Sequence, residues 1–207
     1  MADLKVIAFD CDGVMFDTQT ANRAYYNDLL THFGKPEITD EQFSYCQMAT
    51  ADEAVAYLFP DREEFEEARA LRKKRGYEPY IKYMKMSPDL VDLLSWCRPD
   101  FKTAVATNRS DTMNRVLEEH GLGNCFDLVV TSLDVENPKP HPEQLNKIVD
   151  HFRVRPEEVL YIGDTEVDEK AARAAGVILA VCGNPSLAAD YHISRLAEIK
   201  AVIGGRG

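Results

Sequence analysis

The stretch Val6-Ile7-Ala8-Phe9-Asp10-Cys11-Asp12-Gly13 runs from an apolar segment directly into two carboxylates. Its first four residues are apolar and partly β-branched, which is typical of a strand buried on both faces of a parallel sheet. Two interpretations of the acidic end are open. Asp10, Asp12 and Gly13 either form an ordinary turn, or they face a ligand at the sheet edge where open α/β sheets bind their ligands.

The composition is that of an ordinary globular protein. Of the 207 residues, 45% are hydrophobic and 29% are charged, so the chain can bury a substantial core. The net charge of −11 and the dispersed basic residues argue against nucleic acid or an anionic membrane as the main partner. No apolar run approaches the ~20 residues that span a bilayer, and no signal-like segment is present, so we expect a cytoplasmic protein. The oligomeric state is left open.

After the opening stretch the pattern changes from strand to helix. Residues 19–86 show apolar residues at helical spacing and no convincing strand. Thr39 and Thr50 each stand at a sequence typical of a helix N-terminus. This part of the chain therefore predicts a run of consecutive helices.

From Ser87 onward, helices alternate with short apolar strands. This alternation predicts a parallel sheet with helices on both faces. We therefore expect an α/β fold, a doubly wound parallel sheet formed by residues 1–16 and 87–207. An α-helical domain of residues 17–86 is expected to be inserted after the first strand.

Polar residues recur near the ends of the later predicted strands. They are Thr107-Asn108, then Lys139, then Asp164 and Asp168. If the strands are parallel and adjacent, these side chains meet the two carboxylates of the opening stretch at one edge of the sheet. Such oxygen ligands suit Mg²⁺, which brings phosphate with it, and Lys139 adds a fixed positive charge. The pattern indicates phosphoryl transfer.

Each of these residues also has an ordinary structural interpretation. Thr107-Asn108 can cap a following helix, and Lys139 between two prolines can be a loop lysine in solvent. Asp164 can be a helix N-cap, and Asp168 a surface carboxylate one turn later. Their joint occurrence in this order is what favours a site.

Four motifs stand in order along the chain. They are Phe9-Asp10-Cys11-Asp12-Gly13-Val14, Ala104-Val105-Ala106-Thr107-Asn108, Pro138-Lys139-Pro140-His141-Pro142 and Tyr161-Ile162-Gly163-Asp164-Thr165-Glu166-Val167-Asp168. Together they resemble the haloacid dehalogenase superfamily of phosphohydrolases, across the whole chain. The resemblance is strongest to its phosphoglycolate phosphatase and β-phosphoglucomutase branch. It implies a Rossmann-like core, with the inserted helices as a cap domain.

The resemblance assigns catalytic and metal-binding roles. Asp10 would be the nucleophile that forms an aspartyl-phosphate. Asp12 would be the general acid and then the base, a role that calls for a carboxyl that keeps its proton near neutral pH. Lys139 would neutralise charge between Asp10 and the phosphoryl group. Mg²⁺ would be held by Asp10, the backbone carbonyl of Asp12, Asp164 and Asp168. Asp168 would either coordinate the metal through water or orient Lys139 or the metal waters.

The same resemblance implies the substrate contacts. Gly13 and Asn108 would offer backbone amides to phosphoryl oxygens, together with the Thr107 hydroxyl and Lys139. The loop of residues 47–50, between two cap helices, would reach into the site and set substrate choice.

The expected function is a Mg²⁺-dependent phosphatase that hydrolyses a small phosphorylated metabolite, phosphoglycolate-like or a sugar phosphate. A phosphomutase of the β-phosphoglucomutase type shares these motifs and stays open. A third alternative is a non-catalytic protein that binds a phosphorylated ligand.

Asp12 argues against carbon–halogen chemistry, because dehalogenases of the superfamily lack this second acidic residue. Arg23 either reaches a substrate anion or lies in solvent.

Overall fold

Short strands and helices alternate through most of the molecule, whose computed structural model describes residues 3–204. The strands are β1 (Val6–Phe9), β2 (Phe16–Asp17), β3 (Lys85–Met86), β4 (Lys102–Ala106), β5 (Leu128–Val130), β6 (Val159–Gly163), β7 (Ile178–Cys182) and β8 (Tyr191–Ile193). The helices are α1 (Gln19–His32), α2 (Asp40–Met48), α3 (Ala51–Leu58), α4 (Arg62–Arg75), α5 (Glu78–Ile81), α6 (Leu90–Cys97), α7 (Met113–Glu119), α8 (Glu143–Phe152), α9 (Glu166–Ala175) and α10 (Ile199–Gly204). None of the helices in this described part combines the length and apolarity needed to cross a membrane.

Six strands form one parallel sheet, in the order β5-β4-β1-β6-β7-β8. β1 lies in the middle, so that Ala8 is in register with Ala104 on one side and with Tyr161 on the other. The chain builds one half of the sheet outward from β1 and then the other half. The switch point at which such sheets bind ligands therefore lies at the end of β1. The predicted doubly wound parallel sheet is confirmed.

Both faces of the sheet are covered, because side chains alternate between the faces along each strand. Ile7 and Phe9 belong to the same buried cluster as Leu93 of α6. Val6 and Ala8 belong to a second cluster, which includes side chains of α8 and α9. All four residues of β1 are buried, which explains why its sequence is apolar throughout and shows no polar alternation.

Helices α1 to α5 occupy the chain between β2 and β3. The two helix starts predicted at Thr39 and Thr50 are confirmed, since each of these residues forms a capping box with the residue three positions later.

β2 and β3 form a separate antiparallel ribbon, in which Phe16 lies opposite Met86. The expectation that residues 19–86 contain no strand is therefore wrong at β3. A two-residue strand carries no readable period, and its partner lies at the other end of the helical segment. The ribbon stands where the chain enters and leaves these helices. The division into a core of residues 1–16 and 87–207 and a cap of residues 17–86 stays a prediction.

The packing of α6 against the sheet can be tested with two residues of that helix. Leu93 is fully buried, whereas Val91 is 50% exposed. We expect Leu93→Ala to lower the free energy of unfolding by about 2–5 kcal/mol, because the surroundings close only part of the cavity it leaves. Val91→Ala should change the free energy of unfolding by about 0.5 kcal/mol or less. Urea unfolding of both variants measures the difference, and equal effects would contradict the observed orientation of α6.

Candidate active site

A buried lysine lies between two carboxylates at the end of β1. Lys139 Nζ is 2.9 Å from Asp10 Oδ1 and 2.7 Å from Asp168 Oδ1. Burial alone would lower the pKa of Lys139, but the two carboxylates outweigh burial and raise it above its usual range. The lysine therefore stays charged. Only 1% of its side chain is exposed, so the alternative of a loop lysine in solvent is wrong.

Asp168 is fully buried and surrounded by hydrogen-bond donors. Its Oδ1 accepts hydrogen bonds of 2.7 Å from Lys139 Nζ and from the Tyr161 hydroxyl. Its Oδ2 accepts from the amides of Asp164 and Thr165 and from the Thr165 hydroxyl, at 2.6 to 3.2 Å. Burial raises the pKa of Asp168, but Lys139 and the other donors outweigh it and hold this pKa below its usual value. The alternative of a surface carboxylate is wrong.

Three carboxylates come together at this edge of the sheet. One oxygen from each of Asp10, Asp164 and Asp168 lies within 4.8 Å of the others. Asp164 Oδ1 is buried and has no hydrogen-bond partner among residues 3–204. Burial raises the pKa of Asp10 to about 7 and the pKa of Asp164 to about 9. An unpartnered carboxylate oxygen within a set of oxygen donors fits a hard divalent cation.

Gly13 lies where the loop after β1 passes Asp164. Its φ is +80°, and a Cβ at this position would lie 1.9 Å from Asp164 Oδ2. The backbone conformation and the close approach therefore both require glycine. Its amide donates a hydrogen bond of 2.8 Å to the Phe16 carbonyl. This amide is satisfied within the turn, and the expectation that it binds a phosphoryl oxygen stays a prediction.

Asp12 faces a different environment from Asp10. Arg109 donates from Nε to Asp12 Oδ2 at 2.8 Å and from Nη2 to Asp12 Oδ1 at 2.9 Å. Asn22 adds a hydrogen bond of 3.3 Å to Oδ1. Burial would raise the pKa of Asp12, but Arg109 outweighs it and holds this pKa below its usual value. In this arrangement Asp12 is ionised, whereas the expected general acid must carry a proton.

Thr107 and Asn108 follow β4 and do not cap a helix, since α7 begins well beyond them. The Thr107 hydroxyl is buried and accepts a hydrogen bond of 3.2 Å from the Arg109 amide. The Asn108 side-chain amide donates to the carbonyl of Met48 at 3.1 Å and to the carbonyl of Lys139 at 2.9 Å. Asn108 thus links the loop after α2 to the loop that carries the buried lysine.

A cavity of about 230 Å³ lies between this edge of the sheet and the inserted helices. Seven of the predicted site residues line it, namely Asp10, Asp12, Gly13, Thr107, Asn108, Lys139 and Asp164. The eighth, Asp168, is fully buried and does not line the cavity. Gln47, Met48 and Ala49 also line it, but Gln47 and Met48 form the end of α2, so the loop predicted at residues 47–50 is wrong for these two. Thr50 caps α3.

Three residues that were not predicted from the sequence surround Asp12. They are Asn22, Tyr77 and Arg109, which are joined by hydrogen bonds with one another. Arg109 directly follows the second motif, and this position was a usable signal. Asn22 and Tyr77 belong to the helical segment, where no motif marks them. Arg23, which was a candidate, instead pairs with Asp40 at 2.9 Å and does not line the cavity.

Comparison with known proteins identifies the class to which this fold and site belong. Residues 7–182 match the family model described as haloacid dehalogenase-like hydrolase. The match covers most of the chain, and the chain therefore belongs to this family of hydrolases.

Individual relatives agree with this assignment. The chain is 29% identical to a phosphoglycolate phosphatase of Aliivibrio fischeri, over 84% of this chain and 82% of the relative. It is 26% identical to the pyrophosphatase PpaX of Anoxybacillus flavithermus, over 98% of both. A solved HAD-superfamily hydrolase of subfamily IA, variant 1, from Geobacter sulfurreducens is 35% identical over 97% of both chains, with a TM-score of 0.80.

The crowded carboxylates give the metal-free protein a predictable pH dependence. Asp10 and Asp164 have raised pKa values of about 7 and about 9 when folded. The pKa of an aspartate in the unfolded chain is about 3.9, so the folded state binds more protons than the unfolded state at intermediate pH. Their contribution to stability is complete below about pH 4 and is lost as the pH rises through about 7 and then about 9. In EDTA, we expect Tm to fall steadily from weakly acidic to alkaline pH.

Excess Mg²⁺ should raise Tm more at alkaline pH than at acidic pH, because a cation and protons compete for the same carboxylates. A change of about 1 kcal/mol corresponds to about 2–4 °C in Tm for a chain of this size. Asp164→Asn should flatten both dependences, whereas Asp150→Asn, at an exposed position of α8, should not. A Tm that rises with pH in EDTA, or an unchanged slope in Asp164→Asn, would contradict this interpretation of the cluster.

Proposed function

We propose that the protein is a Mg²⁺-dependent phosphatase that hydrolyses a small phosphorylated metabolite through an aspartyl-phosphate on Asp10. The observation that supports this best is the position of Asp10 at the cavity wall. It lies between a buried ammonium group, that of Lys139, and the unpartnered oxygen of Asp164. A phosphoryl group in the cavity would meet a nucleophile and fixed positive charge at the same point.

The proposed reaction has two steps, both at Asp10. First, a carboxylate oxygen of Asp10 attacks phosphorus, the bond from phosphorus to the leaving oxygen breaks, and that oxygen takes a proton from Asp12. Asp12 has to leave Arg109 and take up a proton from water before this step, because it is ionised in the pair. Second, water attacks the aspartyl-phosphate and gives a proton to Asp12. The bond between phosphorus and Asp10 breaks and releases inorganic phosphate. Lys139 offsets negative charge in both steps, since it remains an ammonium ion.

The carboxylates also suggest how the metal would be held. Asp10, Asp164 and the backbone carbonyl of Asp12 would hold Mg²⁺, which when bound supplies positive charge to the phosphoryl oxygens. Both oxygens of Asp168 already accept hydrogen bonds from the protein. Of the two roles expected for Asp168, we therefore propose that it orients Lys139.

Two groups after β4 would complete the phosphoryl contacts. The Thr107 hydroxyl accepts a hydrogen bond from the Arg109 amide, which leaves its own proton available for a phosphoryl oxygen. The backbone amide of Asn108 would donate to a second oxygen. The Asn108 side chain donates a hydrogen bond of 2.9 Å to the carbonyl of Lys139, which fixes the loop after β4 relative to the loop that carries the lysine.

The substrate would be small and anionic. The names of the two relatives suggest phosphoglycolate and pyrophosphate as candidates, and a cavity of about 230 Å³ has room for either. Sugar phosphates remain candidates as well. Hydrolysis is preferred to the mutase alternative because Gly163-Asp164 in the fourth motif resembles the phosphatases more than the mutases.

The nucleophile assignment is tested by Asp10→Asn. An amide cannot form the aspartyl-phosphate, so we expect kcat to fall by about 10⁴-fold or more, with Tm close to that of the wild type or higher. The measurement is phosphate release in Mg²⁺ from phosphoglycolate, pyrophosphate and sugar phosphates. Asp150→Asn removes one carboxylate from an exposed position and should keep full activity. Turnover near the wild-type rate in Asp10→Asn would refute the assignment.

The same screen separates the alternatives. Sugar phosphates should be assayed with and without a sugar bisphosphate. Isomerisation that depends on the bisphosphate, with little phosphate release, would identify a mutase. Absence of turnover on every ester, together with ligand binding that Asp10→Asn leaves unchanged, would favour the non-catalytic alternative.

A further inference from the structure

Arg109 and Asp12 form a closed ion pair beside the cavity. The guanidinium uses Nε and Nη2 to hold both carboxylate oxygens, at 2.8 and 2.9 Å. The Arg109 side chain is 8% exposed and the Asp12 side chain is 18% exposed. Bidentate, charge-assisted hydrogen bonds of this kind are among the strongest that side chains form. The proposed reaction needs one Asp12 oxygen at the alcohol oxygen of the ester, so this pair has to open.

Arg109 is also held by neutral groups that do not depend on Asp12. The guanidinium carbon lies 4.6 Å from the centre of the Tyr77 ring, and Nη2 donates to the Tyr77 hydroxyl at 3.3 Å. Nη1 donates to the Thr112 hydroxyl at 3.3 Å, and Nη2 lies 3.4 Å from Asn22 Oδ1. These contacts would keep the guanidinium at the cavity wall after Asp12 has moved away. The Nε and Nη2 donors that Asp12 had occupied would then need another oxyanion as their acceptor, because a buried unpaired charge is costly.

The positions of the two ends of the site suggest where that oxyanion comes from. Lys139 and Asp10 mark the phosphoryl end of the cavity, and Asp12 follows Asp10 by two residues. Since Asp12 would protonate the leaving oxygen, Arg109, which holds both Asp12 oxygens, lies on the leaving-group side of the ester. A substituent of the leaving group is therefore the part of a substrate that can reach Arg109.

We propose that Arg109 sets the substrate class by binding a second anionic group, a carboxylate or a phosphate, on the leaving group of the substrate. The inference rests on the proposed phosphatase function. The substrate oxyanion replaces Asp12 as the acceptor for Nε and Nη2 of Arg109. Arg109 therefore stays paired, and Asp12 is released toward the ester. A substrate with a neutral leaving group offers no such exchange. It binds beside an Arg109–Asp12 pair that remains closed, and it is a poor substrate.

The kinetic test uses two esters that share a two-carbon leaving group. Phosphoglycolate carries a carboxylate, and ethyl phosphate carries none. We expect the wild type to prefer phosphoglycolate in kcat/KM, and Arg109→Gln to lower kcat/KM for phosphoglycolate by about 100-fold, since it removes one partner of a desolvated charge pair. For ethyl phosphate, kcat/KM should not fall and should instead rise, because loss of the guanidinium frees Asp12 from the closed pair. Arg109→Lys keeps the positive charge but cannot form the bidentate contact, so kcat/KM for phosphoglycolate should fall by an intermediate amount.

Pyrophosphate distinguishes the two anions. If its kcat/KM also falls in Arg109→Gln, Arg109 accepts phosphate as well as carboxylate; if only phosphoglycolate is affected, Arg109 selects carboxylates. Both outcomes support the proposal. Arg173→Gln removes an exposed arginine of α9 and should leave kcat/KM unchanged for both phosphoglycolate and pyrophosphate. This variant controls for the loss of one positive charge.

Binding measurements make the test independent of turnover. In an Asp10→Asn background with Mg²⁺, calorimetry should show that Arg109→Gln weakens the binding of phosphoglycolate, of pyrophosphate or of both by about tenfold or more. Thermal melts of both Arg109 variants check that they are folded.

Two results would overturn the proposal. One is an equal loss of kcat/KM for phosphoglycolate and ethyl phosphate, which would mean that Arg109 acts only through Asp12. The other is unchanged affinity for both anionic ligands in the calorimetry. If the wild type released phosphate from no ester, the proposed function would fail, whereas the binding comparison would still decide whether Arg109 recognises an anion.

Discussion

The ion pair of Lys139 with Asp10 and Asp168 is the interaction on which the site depends. Its N–O distances are 2.9 and 2.7 Å, and all three side chains are almost wholly buried. Charges removed from water in this way are tolerated only when they are paired and hydrogen-bonded. The three residues lie far apart in the chain, after β1, after β5 and at the start of α9. Asp10 and Asp168 meet because β1 and β6 are neighbours in the sheet, and Lys139 reaches them from the segment between β5 and α8.

Two carboxylates of one tripeptide have opposite electrostatic surroundings. Burial raises the pKa of Asp10 to about 7, whereas Arg109 holds the pKa of Asp12 below its usual value. The difference arises from the partners, because both groups are buried to a similar extent and belong to the same loop. Pairs of acids whose surroundings push their pKa values apart are common in sites that divide nucleophilic and proton-transfer roles, and the proton donor is then the acid with the raised pKa. With Arg109 bound to Asp12, the order is the reverse of the one that the proposed reaction needs. The contact with Arg109, which comes from another strand end, is therefore the one that has to change.

The parts of the molecule that local patterns encode could be predicted from the sequence. An apolar strand that ends in Asp10, and the rule that parallel strands present their ends at one edge, were enough to place Thr107 and Lys139 at the same cavity. The bidentate contact between Asp12 and Arg109 could not be predicted, because the two residues are 97 positions apart and no periodicity joins them. The β2–β3 ribbon was missed for a similar reason. Its strands are too short to show an alternation, and they pair across the whole helical segment.

The two ends of the cavity are built from different parts of the chain, and this separation has a consequence for specificity. Among the described residues, the partners of Lys139 Nζ come from the end of β1, from β6 and from α9, and none comes from the inserted helices. Around Asp12, partners come from both parts, since Arg109 follows β4 while Asn22 belongs to the inserted helices. Changes near Asn22 therefore reach Asp12 directly, whereas the inserted helices reach the loop of Lys139 only through Asn108, which contacts the carbonyls of Met48 and Lys139. In the proposed function, the phosphoryl chemistry would belong to the sheet edge, and the inserted helices would act on the side of Asp12.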